Sequence, residues 1–223
     1  MEGTTSHTMK WLRFIFIPLL SFLIIAFAIG AHYYYLDHHH TAGARFGGKN
    51  HIDKPEIRRI KQRAISLGRF ARQHNYNQKT LLLADMGLPS GKIRLFIYDT
   101  EKDTVVQSGL MAHGHANHGF SLNAVFSNRK GSSCTALGTY SIGKSYTGSF
   151  GLTYKLYGLD SSNSNAFARN IVLHGHACVP DQETYPYPIC NSSGCAMVSQ
   201  AFLIRIRPLL DSSTRPVLLW IFN

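Results

Sequence analysis

A histidine and a cysteine in the C-terminal part of the chain have the residue types that acyl transfer through a thioester requires. His174-Gly175 follows the apolar run 171–173, and Cys195 ends the run Ser192-Ser193-Gly194-Cys195, 21 positions after His174. This chemistry needs a thiolate, a base for the thiol proton and backbone N–H donors for the oxyanion. Gly194 gives the backbone freedom to aim such donors. A packed histidine and a buried or disulfide-bonded cysteine are the alternative interpretation.

Two clusters of histidine and cysteine could also be metal ligands. One is His113-Gly114-His115 with His118, and the other combines His174 with His176 and Cys178. Short spacings of this kind can suit zinc, but a complete ordered ligand set would need residues from both clusters. We therefore predict no metal site and no cofactor, and we interpret His115, His118 and His176 as polar loop residues. A metal-dependent peptidase is the alternative.

Cys178 and Cys190 lie 12 residues apart, between the histidine and the cysteine described first. In an oxidising compartment they can form a disulfide that closes a loop beside the site and stabilises the fold by roughly 3 kcal/mol. Cys134 would then stay unpaired and Cys195 would stay free. The alternative is that Cys134, Cys178 and Cys190 are all reduced and buried, because connectivity does not follow from sequence.

The order of motifs between Ala124 and Val198 resembles the murein L,D-transpeptidase catalytic family, in the branch related to the YkuD-type domain. The resemblance covers most of the second half of the chain and is more specific than an isolated His–Cys pair. The matching residues are Ser127-Asn128, Gly131-Ser132, 135–140, Tyr146-Thr147-Gly148, 156–159, Asn165, Ala166, Arg169, 171–175 and 192–195.

This resemblance implies a β-rich catalytic domain that acts on peptidoglycan stem peptides through a cysteine nucleophile. Cys195 matches the nucleophile and His174 the base, while Gly194 with Cys195 matches the turn that supplies oxyanion donors. The remaining residues that we assign to the catalytic motif are Gly175, Ser192 and Ser193, and those that we assign to the substrate cleft are His113, Gly114, Tyr146, Asn165 and Arg169.

The chain departs from the more familiar YkuD-type signature at two positions. Ser193 stands where that signature has a histidine directly before the Gly-Cys pair, and Met197 stands where it has a polar residue. Neither departure removes the nucleophile or the base. A change of this kind can alter the acyl acceptor or favour hydrolysis over cross-linking.

The composition describes one globular domain with a targeting segment. The chain has 223 residues, 44% of them hydrophobic, and 23 Lys plus Arg against 12 Asp plus Glu give a formal charge of +11. That charge favours an anionic polymer or lipid surface. Because the cations are scattered and no nucleic-acid module is recognisable, we predict no nucleic-acid binding. The sequence does not predict an oligomeric state.

The N-terminal part predicts export. Residues 14–31 are 18 consecutive uncharged residues after Lys10 and Arg13, which is long enough for a membrane helix, with a cleaved signal peptide as the alternative. We predict a cytoplasmic stub and membrane segment at 1–36 and a linker at 37–52, in which His38, His39 and His40 are solvated. The catalytic domain would then be held by the inner membrane in the periplasm or cell envelope.

Periodicity predicts the remaining elements. Apolar residues recur at helical spacing from Asp53, so we assign a helical segment to 53–90. Beyond it, short β-rich runs near 93, 104, 152, 171 and 216 predict an antiparallel sandwich or barrel at 91–223, with one late helix at 198–206. The fold class is therefore mainly β.

Three functions are consistent with these features. The first is an envelope cysteine enzyme that cross-links stem peptides, or trims them as an L,D-carboxypeptidase. The second is a non-catalytic peptidoglycan-binding membrane anchor, whose binding survives loss of Cys195. The third is the metal-dependent peptidase, which chelators would inhibit.

Overall fold

The structure is a computed structural model, and it describes residues 24–31, 54–116 and 119–223. The chain divides into two compact units, Met1–His51 and Ile52–Asn223. In the first unit, residues 24–31 are helical and their side chains are exposed. None of the helices in the described ranges is long and apolar enough to span a membrane. Most of the predicted membrane segment and all of the linker 37–52 lie outside the described residues, so the anchor stays a prediction.

The described residues of the second unit form eight strands and two α-helices. The strands form one sheet in the order β3-β2-β1-β8-β4-β5-β6-β7. Two neighbouring pairs, β1 with β8 and β6 with β7, are parallel, and the other pairs are antiparallel. The elements are α1 (Lys54–Gln73), β1 (Thr80–Asp85), β2 (Leu95–Asp99), β3 (Thr104–Gly109), β4 (Gly138–Gly148), β5 (Gly151–Gly158), a 3₁₀ turn (Ser161–Asn163), β6 (Val172–Gly175), β7 (Ala196–Val198), α2 (Gln200–Asp211) and β8 (Leu218–Phe222).

The sheet is strongly curled. Strands β3 and β7 are its two edges, yet the chain that leaves β3 meets β7, where Ala112 forms a bridge with Met197 and donates its N–H to the Met197 carbonyl at 2.8 Å. One step further, Gly114 forms a second bridge with Ser192. The edge beside the Ser192–Cys195 turn is therefore covered by backbone.

Each face of the sheet packs against one helix. The apolar stripe of α1, which includes Ile60, Ala64 and Leu67, packs in one cluster with Leu81 and Leu83 of β1. The alternate β1 residues Leu82 and Ala84 belong to the other cluster, with Phe202, Leu203 and Ile206 of α2. Because both faces are covered, the middle of β1, residues 81–84, is a continuous apolar run, and every position of the strand is buried.

The prediction of a mainly β domain is confirmed, and the structure corrects its details. The sheet is one curled, mixed sheet, where an antiparallel sandwich or barrel was predicted. Strand β1 lies inside 53–90, which was assigned to a helical segment, although α1 fills only Lys54–Gln73 of it. A short continuous apolar run such as that of β1 fits a buried strand and a buried helix equally well by periodicity.

Candidate functional site

The pairing of β6 with β7 brings the predicted base and nucleophile to the same edge of the sheet. The two strands are parallel, with Leu173 opposite Ala196 and His174 opposite Met197. Cys195 directly precedes β7 and is therefore level with Val172, two residues before His174. Residues two apart on a strand lie on the same face of the sheet. His174 therefore lies on the same face as Val172, the residue of β6 that is level with Cys195.

The Cys195 thiol is partly buried and contacts backbone. Its Sγ donates to the Asn170 carbonyl oxygen at 3.9 Å. Burial raises the pKa of the thiol above its ordinary value of 9.0, and the opposing effects of the Val172 backbone and of the cations Arg169 and Lys155 do not offset it. The thiol is therefore protonated at neutral pH and needs a base.

The His174 imidazole is held in the state that a base requires. Its Nδ1 lies 3.2 Å from the Gly175 carbonyl oxygen. Because a carbonyl only accepts hydrogen bonds, this contact places the proton on Nδ1 and leaves Nε2 free to accept. Burial lowers the pKa of His174 below 6.5, so the ring is neutral at pH 7. The Phe150 ring, from the β4–β5 turn, stacks on the imidazole with centroids 4.2 Å apart.

Ser192 closes the turn that carries the nucleophile. Its hydroxyl accepts from the Gly194 N–H at 3.1 Å and donates to the Cys195 carbonyl at 2.8 Å. The Gly194 N–H is thus already used inside the turn, so the Cys195 N–H is the better candidate for the predicted oxyanion donor. Ser193 is exposed on the outside of the turn.

Arg169 and Asn165 support the neighbouring loop. Arg169 donates to the carbonyls of Ser127 and Cys134 at 2.9 and 2.5 Å. Asn165 donates from its amide to the Asn128 carbonyl at 3.0 Å. The structure therefore uses both side chains to hold the loop 127–134 against the Gly194 turn. Both side chains are therefore used for backbone contacts.

His113 was predicted near the substrate cleft, and in the structure its side chain is buried behind the nucleophile turn. Its side chain is 1% exposed, and its Nδ1 accepts from Arg94 Nη2 at 2.8 Å. Burial and the Arg94 charge lower the pKa of His113 to about 4, so it is neutral. Its carbonyl accepts from the Ser192 N–H at 2.8 Å, and Gly114 packs on the Ser133 carbonyl. These residues therefore support the nucleophile turn from behind. Tyr146, by contrast, is exposed on β4.

Several residues near the site carried no signal in the sequence. Arg94 is completely buried, which lowers its pKa to about 10, and it donates from Nε to the Met111 carbonyl at 2.7 Å. Phe150 covers His174, and Asn170 accepts from the thiol. Lys155 acts on Cys195 from the middle of β5. Only the fold brings these four residues to the site. The aromatic residues of β4 and β5 are the one signal in the sequence that indicates an exposed face there.

The remaining cysteines and histidines are placed as follows. Cys178 and Cys190 are joined by a disulfide, and Cys134 and Cys195 are free. His176 Nδ1 lies 2.9 Å from the Cys178 sulfur. No group of three or more metal-ligating side chains occurs among the described residues, and His118 lies outside them.

The raised thiol pKa predicts how Cys195 reacts with iodoacetamide. We expect the alkylation rate of Cys195 to rise with pH through neutrality to above pH 9, because only the thiolate reacts and burial disfavours it. The measurement is peptide mass spectrometry after timed alkylation, with Cys195→Ala as the control. A plateau of reactivity below pH 7 would contradict this, since it would indicate a preformed thiolate–imidazolium pair.

The chain also matches solved structures, at low sequence identity. The L,D-transpeptidase from Xylanimonas cellulosilytica is 16% identical, with 69% of this chain and 68% of that chain covered and a TM-score of 0.39. The helical cell shape determining protein Pgp2 from Campylobacter jejuni is 12% identical, with 73% and 55% covered and a TM-score of 0.40. The Ldtfm–avibactam carbamoyl enzyme is 10% identical, with 66% and 50% covered and a TM-score of 0.40. The chain thus spans about half the length of the last two proteins.

The sequence comparison that decides the family covers almost the whole second unit. No curated protein matches the chain. The family model of the L,D-transpeptidase catalytic domain matches residues 54–219, from the start of α1 into β8. This span includes the whole of the β6–β7 site. The chain therefore belongs to the L,D-transpeptidase catalytic domain family, whose members modify peptidoglycan.

Proposed function

We propose that this protein is a cysteine acyltransferase that acts on peptidoglycan stem peptides, with Cys195 as nucleophile and His174 as base. The observation that carries the proposal is the state of His174. The Nδ1 proton of His174 points to the Gly175 carbonyl, and burial lowers the pKa of the ring. His174 lies on β6, which pairs with β7, the strand that Cys195 directly precedes. A neutral imidazole with a free Nε2 beside a protonated thiol is the arrangement that general-base activation needs.

The first half of the proposed reaction forms a thioester. Nε2 of His174 takes the thiol proton while Cys195 Sγ attacks the carbonyl between a diamino acid and a terminal D-residue. The Cys195 N–H stabilises the oxyanion. When the C–N bond breaks, the leaving amine takes the proton from His174. The thiol must first turn from the Asn170 carbonyl toward the imidazole, a change that substrate binding can bring about.

The second half decides the type of product. His174 takes a proton from the attacking group, which is the amine of a second stem peptide or water, as that group adds to the thioester carbonyl. The C–S bond then breaks, and the Cys195 sulfur takes the proton back from His174. An amine gives a cross-link and water gives a trimmed stem. Both fates use the same residues, so L,D-carboxypeptidase activity is the alternative to transpeptidation. A protein that only binds peptidoglycan is the alternative from another class.

We further propose that the catalytic domain works outside the cytoplasm, anchored by the N-terminal segment. Two features support this. The Cys178–Cys190 disulfide suits an oxidising compartment. The charge of +11 favours contact with the anionic envelope. Labelling of engineered single cysteines in intact cells with a membrane-impermeant reagent would test this placement, and exclusive labelling after lysis would refute it.

The proposed reaction is tested by incubating the full chain, in mild detergent, with purified tetrapeptide muropeptides. We expect an acyl adduct on Cys195 by intact mass, and cross-linked or shortened muropeptides by liquid chromatography. Both should vanish in Cys195→Ala. The released products separate transpeptidation from trimming. If neither adduct nor product forms while both proteins still co-sediment with peptidoglycan, the binding function is the better account.

A further inference from the structure

A lysine is fixed beside the nucleophile by the residue that also holds the thiol. Lys155, in the middle of β5, pairs with Val172 of β6. Its Nζ donates to the Asn170 side-chain oxygen at 3.0 Å, while the Asn170 main-chain oxygen accepts from Cys195 Sγ at 3.9 Å. Asn170 adopts φ = 55°, a left-handed conformation that Asn tolerates better than most residues. A single residue therefore contacts both the ammonium and the thiol, and the Lys155 charge acts on Cys195.

Two aromatic rings hold the lysine from the other side. The Lys155 Nζ lies 4.9 Å from the centroid of the Phe167 ring, and Phe167 stacks on Tyr157 with centroids 5.8 Å apart. Both rings are exposed. A cation over an aromatic face is attracted by the ring quadrupole. The ammonium is thus held on an open surface next to the site, whereas most surface lysines move freely.

The positive charge of Lys155 is not neutralised by the protein. In the parts of the chain that the structure describes, none of the ion pairs includes Lys155. The other cation that acts on Cys195, Arg169, already donates to two backbone carbonyls. Lys155 is therefore the cation beside the thiol that can bind an anionic ligand without breaking a structural contact to backbone.

We infer that Lys155 binds the C-terminal carboxylate of the donor peptide and so selects a donor whose scissile bond precedes its last residue. This rests on the proposed function. In such a donor the terminal carboxylate lies about 3–4 Å from the scissile carbonyl carbon, so a cation beside the nucleophile reaches it when that carbon meets the sulfur. Asn170 and Phe167 are positioning residues, because they act through Lys155.

The inference can be tested on the free thiol without turnover. Iodoacetate and iodoacetamide both form an S–C bond to Cys195 and release iodide, but only iodoacetate carries a carboxylate. A change in the thiol pKa alters both rates equally, so it cancels in their ratio. We expect Lys155→Met to lower the iodoacetate-to-iodoacetamide rate ratio about fivefold, the effect of one charge at about 4 Å in water. Lys155→Arg should keep the ratio near that of the wild type.

Lys144 provides a matched control, because it is an exposed lysine on the neighbouring strand β4 and does not act on Cys195. Lys144→Met should leave the rate ratio unchanged. An unchanged ratio in Lys155→Met would overturn the inference. An equal fall in both variants would also overturn it, since the effect would then come from the net charge of the protein and not from a defined subsite.

Turnover gives the second test, with tetrapeptide donors that end in a carboxylate or in an amide. The wild type should prefer the carboxylate in kcat/KM, and Lys155→Met should lose about fivefold of this preference with little change for the amide donor. Equal losses for both donors would overturn the inference. If the wild type converts neither donor, the proposed function fails, and the alkylation ratio still decides whether Lys155 forms a carboxylate site.

Discussion

Replacing His174 by glutamine is expected to lower kcat/KM for muropeptide donors by about 10² to 10⁴, the usual contribution of a general base. The loss should be this large because the thiol pKa is raised, so few molecules hold a thiolate without help from the imidazole. Glutamine keeps a polar side chain under the Phe150 ring. The measurement is the initial rate of product formation at fixed pH, with folding checked by thermal denaturation.

His176 supplies the matched control for that substitution. It is an imidazole two residues away, packed edge-on to the same Phe150 ring, with centroids 6.3 Å apart. His176→Gln should retain activity within a few-fold of the wild type. If His174→Gln also retained activity within this range, His174 would not be the base. If His176→Gln lost as much activity, the loss would be assigned to disturbed packing of the Phe150 ring.

The pH profile separates a base from a structural histidine. The active form of His174 is neutral, and burial lowers its pKa below 6.5. In the wild type, kcat/KM should therefore fall only as the pH drops below that pKa. The variant His174→Gln should lose this acid limb and instead gain activity toward high pH, as thiolate forms unaided. An acid limb that persists in the variant would assign the titration to another group.

The catalytic residues and the disulfide could be predicted from the sequence because they are close along the chain or stand in a recognisable order. The His174-Gly175 pair, the Ser-x-Gly-Cys run and the Cys178–Cys190 spacing are of this kind. The family assignment follows from them, and the family model confirms it. The N-terminal anchor and the exported location stay predictions, because they depend mainly on residues 1–23 and 32–53, which the structure does not describe.

The support of the site could not be predicted because its contacts join distant residues through backbone atoms. Arg169 reaches the carbonyl of Cys134, 35 positions earlier, and the His113 carbonyl accepts from the Ser192 N–H. A backbone acceptor carries no sequence signal. The sequence likewise gives no indication that Arg94 is buried, because it resembles an ordinary surface arginine near a strand. The burial of His113 was not predicted for the same reason.

These backbone contacts converge on the turn before the nucleophile. The loop 127–134 presses on it from one side through the Cys134 carbonyl, and the segment 112–114 holds it from another through Ser192. Close packing of backbone on backbone leaves no side chain that can move aside to make room. The turn is thus the part of the site where a small added volume should have the largest effect.

Gly194→Ala is expected to destabilise the fold by about 2–4 kcal/mol and to lower kcat/KM by 10² or more. A Cβ at this position would lie 2.5 Å from the Cys134 carbonyl oxygen and 2.9 Å from Arg169 Nη2, and the residue has φ = +105°. The arginine end can shift, but the carbonyl belongs to backbone that Arg169 holds. The turn must therefore move, and the Cys195 sulfur moves with it.

Gly131→Ala separates the two causes of this loss. Gly131 also has a positive φ, +79°, but a Cβ there would meet nothing within 4 Å. It should pay only the conformational cost of a left-handed alanine, about 1–2 kcal/mol, and keep its activity. Chemical denaturation and kcat/KM measured on both variants decide the matter. Equal losses would mean that φ alone makes Gly194 necessary, and the contact with Cys134 would then not be what fixes the nucleophile.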